Sequence, residues 1–173
     1  KNGDVYGGGL TDSNIGNDTT VIMDGKVARD VFGGGIKNSK VTHNAFVDVT
    51  GTVGRNVFGG GTQTQSHIGG YTVVNMLDGS TAQNVFGGGW KDSDVNGINA
   101  QDGNGAAVTI HDGSEISTDV YGAGWDNASI LKTDASTKVL LETQGIVRGS
   151  VYGGGKKDST VANATVVDIY GTV

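Results

Sequence analysis

The 173-residue chain has no cysteine and no proline. Without cysteine there can be no disulfide and no thiolate-ligated metal, although the absence leaves the redox compartment open. The lack of proline excludes proline-rich disorder. The 32 glycines follow no three-residue period, which excludes collagen. No apolar run is long enough for a membrane-spanning helix. The first residues lack the charged-then-apolar layout of a secretory leader, so an exported form of this chain would already have lost its signal. Basic residues are scarce and scattered, 12 against 18 acids, for a net charge of −6 and a pI near 4.8. Nucleic acid is therefore excluded as a partner, because that affinity rests on clustered Lys and Arg.

Repetition is what the chain has in abundance. A hydrophobic pair followed by small residues occurs six times, as "DVYGGG" from Asp4, "DVFGGG" from Asp30, "NVFGGG" from Asn56 and from Asn84, "DVYGAG" from Asp119, and "SVYGGG" from Ser150. The steps between copies are 26, 26, 28, 35 and 31 residues. After the glycines comes a Ser-x-Ile/Val stretch, such as "DSNI" ending at Ile15 or "NSKV" ending at Val41. An alternating run then follows, such as Val21, Met23, Gly25 and Val27. Period-two alternation is a strand signal, and no segment holds a helical period for longer than a turn.

A repeat of 26 to 35 residues fits one coil of a parallel β-solenoid and is too short for a propeller blade. The expected fold is all-β: a parallel β-solenoid (β-helix) of six coils with three short strands per coil. It forms a single repeat domain over 1–173, with coils near 1–27, 28–53, 54–81, 82–116, 117–147 and 148–173. Both insertions, Asn96 to Ala107 and Lys132 to Lys138, fall between the Ser-x-Ile/Val strand and the alternating run, as extra residues at one corner would. Laid end to start, "GTV" and "KNGDVYGGG" reproduce the internal "GTVGRNVFGGG", so we expect an excerpt of a longer solenoid or a protomer that stacks end to end.

The repeated pairs, Val5–Tyr6, Val31–Phe32, Val57–Phe58, Val85–Phe86, Val120–Tyr121 and Val151–Tyr152, form a structural rung. If valine points inward, alternation turns the ring outward, and the exchange of Tyr with Phe argues that the ring edge meets water. The Asx/Ser column before each pair reads as corner residues that turn the chain, since four Asp or Ser in six cannot make an unbroken amide ladder. The glycines let backbones pack where a Cβ would clash. Ala123 shows that the middle one can be relaxed, so Gly34→Val should melt the solenoid locally and Gly60→Ala should be mild.

Candidate binding residues are few. Trp90 and Trp125 lie one coil apart at the position after the glycines and could offer a stacking platform to a sugar or a partner protein. The long corner loop contributes Asn96, Asn99, Asp102 and Asn104. "GGGLTDSNI" fits the calcium nonapeptide poorly. Thr19, Thr72, Thr137 and Thr165 make a column too broken by Ala45 and Ala106 for an ice-binding array. His43, His67 and His111 stand in different columns, and no triad, metal-type His pair or phosphate loop can be assembled. The expectation is a non-enzyme without metal or cofactor.

Carried by the six Val-Tyr/Phe-Gly-Gly/Ala-Gly units and the Asp/Asn-Ser-x-Ile/Val stretches, the whole chain resembles the glycine-rich β-solenoid repeats of large bacterial surface and secreted proteins, including adhesins and autotransporter passengers. The resemblance implies an exported structural or adhesive element at the cell surface or in a fibre. Its partners would be neighbouring coils, copies of itself, or a host glycan or surface protein. A carbohydrate-binding or carbohydrate-processing β-helix is the alternative.

Overall fold

The computed structural model describes residues 3–173; Lys1 and Asn2, on which the end-to-start match partly rests, lie outside the described residues. The described chain is all strand, turn and loop, wound as a parallel β-solenoid of six coils. Every strand pairs in parallel with its equivalent one coil away, in register. Val5 meets Val31, Val31 meets Val57, and so on to Val151.

Each coil has four strand positions, not the expected three. The aromatic sheet has six strands, from Val5–Tyr6 to Val151–Tyr152. The serine sheet has four, from Asn14–Ile15 to Asp94–Val95, and continues through single bridges at Ile130 and Val161. The long sheet has six, from Thr19–Met23 to Thr165–Ile169. The short sheet has five, from Lys26–Val27 to Ile146–Val147. The alternating run had hidden a corner: in coil one it breaks at Asp24-Gly25 into Thr19–Met23 and Lys26–Val27. The glycine turns the chain without disturbing the parity of the buried residues, so the pattern reads straight through.

Three cores result. The inward residues of the long sheet, the valines of the aromatic pairs and the inward residues of the short sheet fill the largest. A second packs serine-sheet residues such as Val41 and Ile68 against Ala45, Ala106 and Ala123. The third is the aromatic ladder itself, where Phe32, Phe58, Phe86 and Tyr121 are all buried. The outward orientation of the rings relative to valine is right, but their exposure is not. After the glycines the chain turns back, and the following side chains, Trp90 and Trp125 among them, close over the rings. That corner is a turn with two consecutive left-handed residues, Lys37-Asn38, Lys91-Asp92, Asp126-Asn127 and Lys157-Asp158. Asn and Asp tolerate this conformation better than other side chains. Both insertions begin between the serine and long sheets, as expected, but their last residues, from Asn104 and from Ser136, already belong to long-sheet strands, and Gly105 forms a bulge where the longer loop rejoins the long sheet.

Candidate functional site

The repeated side chains are engaged in contacts between coils. The rings of Tyr6, Phe32, Phe58, Phe86, Tyr121 and Tyr152 stack with centroids 4.7 to 5.0 Å apart, the rise of one coil. The Asx column is more than a set of corner residues. Four of its oxygens accept the backbone N–H of their equivalent in the next coil: Asp4 from Asp30, Asp30 from Asn56, Asn84 from Asp119, and Asp119 from Ser150, while the Asn84 N–H goes to the Arg55 carbonyl. The Asn84 amide also donates to Asn56, and the Asn56 amide to Asp30. Asp and Asn interchange because both carry the acceptor the next coil requires. Buried Asp30 is further matched by Arg55 at 3.5 Å.

The same column engages two of the three ladder tyrosines. The Tyr6 hydroxyl donates to Asp4 and the Tyr121 hydroxyl to Asp119, whereas Phe58 and Phe86 follow asparagines. Phe32, however, follows Asp30, and Tyr152 follows Ser150 and is exposed, so the column does not dictate which ring is used. Burial, and then the neighbouring carboxylate, raise the Tyr6 and Tyr121 phenols, with Tyr6 pushed up to about 12. In the unfolded chain these protons leave at about pH 10, while the folded state retains them. Their contribution is therefore fully present below about pH 10 and is lost as pH climbs toward 12. Tyr6→Phe/Tyr121→Phe should shrink the loss of melting temperature over that interval, and an unchanged alkaline slope would refute the assignment.

Trp90 and Trp125 are brought together, parallel at 5.3 Å. Their planes run with the ladder: Trp90 stacks against Phe32 and Phe58, and Trp125 against Phe86. The Lys91 ammonium lies over Trp90, and that of Lys156 over Trp125. The indole faces are thus occupied, and a sugar ring would find mainly edges. Asn96, Asn99, Asp102 and Asn104 lie at a different corner, beyond the serine sheet. Asn99 and Asp102 accept backbone N–H groups within their own loop, Asn104 opens a long-sheet strand and is buried, and Asn96 is exposed. The tryptophans and the loop do not form one site.

The threonine column faces inward. Thr19, Thr72 and Thr137 are buried, and their hydroxyls donate to the carbonyls of Gly33, Gly87 and Gly153, the first glycine of the next coil in each case. The Asn127 amide is likewise used between coils, donating to Asp92.

One grouping was missed in the sequence. At the corner between the long and short sheets, His111 and Glu142 stand on successive coils with Nδ1 and Oε1 3.2 Å apart. With Thr50, Leu77, Asp78, Asp112, Gly113 and Gln144 they line a shallow cleft of about 500 Å³. The only signal was positional, since His111 and Glu142 each follow the last residue of their long-sheet strand. Among the described residues no group of three or more His, Asp or Glu is placed to hold a metal ion, and no helix is long and apolar enough to cross a membrane.

No family model, curated protein or solved structure matches the chain.

Proposed function

We propose that this chain is a non-enzymatic scaffold, a stacked segment of an exported bacterial surface protein or fibre that holds adhesive elements away from the cell and is able to continue end to end. One observation carries the reading. The residues that recur in every coil, namely the Asx acceptors, the valine, the ring and the glycines, are used in joining one coil to the next. Repetition devoted to stacking serves length and rigidity. The resemblance to glycine-rich surface repeats adds the export and the adhesive setting.

Immunogold labelling of intact source cells with an antibody to the folded coils tests this reading directly. Surface label on filaments or stalks is the expected outcome. Label confined to the cytoplasm of opened cells would sink it.

A further inference from the structure

Charge is distributed unevenly around the solenoid. Among the described residues, Lys132 and Lys138 are the only Lys or Arg on the long sheet and the two corners flanking it; the others lie on the remaining sheets and corners. The outer face of the long sheet carries Asp48 and Asp168, and its edge carries Asp24, Asp78, Asp112 and Glu142. Lys138 is paired with Asp168 at 3.3 Å, and no Lys or Arg lines the cleft. Beside these acids the face mixes apolar side chains with Thr20, Asn75 and Thr109. Ile22 is 74% exposed, Phe46 packs edge-on against Tyr71 at 5.9 Å, and Val73 and Leu140 are only partly covered. Leu77 lines the cleft together with these carboxylates.

We propose that the outer face of the long sheet, together with the cleft at its edge, docks an extended Lys- or Arg-bearing polypeptide segment of a partner protein. The aliphatic stem of a lysine or arginine would lie on Leu77 while its head reaches Asp78, Asp112 or Glu142, and residues between the cations would cover Phe46 and Val73. A bare metal ion fits less well, because the carboxylates line a cleft and do not converge on one point. Anionic partners are repelled. Complementary charge of this kind sets partner choice and on-rate, and screening by salt weakens it. The proposal names the partner chemistry of the adhesive reading, and it can fail without touching the scaffold.

The test is fluorescence anisotropy of the intact chain with a fluorescein-labelled peptide alternating Lys with Leu and Thr. A peptide with Glu in place of Lys serves as control. The Lys peptide should bind, more tightly at low salt, and the Glu peptide should not. Asp78→Asn/Asp112→Asn/Glu142→Gln removes the charge while keeping one acceptor oxygen on each side chain and should weaken binding about tenfold or more. Asp92→Asn/Asp126→Asn/Asp158→Asn, which removes the same charge at another corner, should leave it within about twofold. Equal losses from both triple variants would reduce the effect to net charge and overturn the site, as would no binding at all. Self-association of the free chain that the Lys peptide disperses would assign the face to a second copy and also overturn it. Melting curves of both variants that match the parent confirm that the scaffold is intact whichever result is obtained.

Discussion

Gly59→Ala is expected to cost more than about 4 kcal/mol, while Gly60→Ala, one residue along, costs about 1 kcal/mol. A methyl on Gly59 would lie well inside contact distance of the Gly87 carbonyl oxygen and also press on Thr72 and Val74 at 3.0 and 3.1 Å. The oxygen cannot withdraw, because it is backbone and accepts the Thr72 hydroxyl. Gly33, Gly87 and Gly122 meet the first-glycine carbonyl of the next coil in the same way. On Gly60 the methyl would meet the backbone of the next coil less closely, at the Gly89 nitrogen and Cα, 2.8 and 3.0 Å away, and the Gly88 carbonyl carbon, 3.2 Å away. Coil five accommodates this: Ala123 occupies the middle position and packs into the second core. The strain at Gly60 is partly offset by the lower entropy of an alanine-containing unfolded chain. Gly34→Val falls between the two, since its first carbon meets Gly61 and the Ile68 side chain at 2.7 to 2.9 Å and two further methyls must follow. Urea midpoints of the variants rank them, and equal shifts for Gly59→Ala and Gly60→Ala would contradict the positional account.

Coil count, parallel pairing and the corner that takes insertions were legible because each depends on spacing along the chain, and six copies average out local noise. Ring orientation relative to valine was legible for the same reason, as parity is a local property. Burial of the ring was not, because it depends on what the chain does after Gly33 to Gly35, where left-handed turn residues such as Lys37 and Asn38 bring it back over Phe32. The role of the Asx column was half legible. Asp, Asn and Ser signalled a corner, but their shared acceptor oxygen acquires its purpose only when the next coil presents an N–H to it. The cleft was obscure for a different reason. Each coil supplies one or two of Asp78, His111, Asp112 and Glu142, and within one coil each looks like an ordinary polar residue beside a turn.

Phe58→Ala tests the ladder and is expected to cost about 3–5 kcal/mol. Phe58 is fully buried, with Phe32 stacked 4.8 Å to one side, Phe86 4.7 Å to the other, and Trp90 alongside at 6.0 Å. Neighbouring rings cannot close the gap, because each is held in its own coil by backbone pairing of Val31 with Val57 and Val57 with Val85. The cavity therefore stays open and the cost lies at the upper end of that range. Trp90→Ala should cost less, about 2 kcal/mol, because the indole is only partly buried. The double variant should fall short of additivity by about 1 kcal/mol, since the first change already removes one partner of the stacked pair. Phe46→Ala, on the outer face of the long sheet, is the reference: an aromatic truncation outside the ladder should cost under about 1 kcal/mol. If the rings were an exposed stripe, Phe58→Ala and Phe46→Ala would have similar midpoints and Trp90 emission would not move. With the rings buried, the midpoints separate widely, and the Trp90 emission shifts to the red as water reaches the gap left beside it.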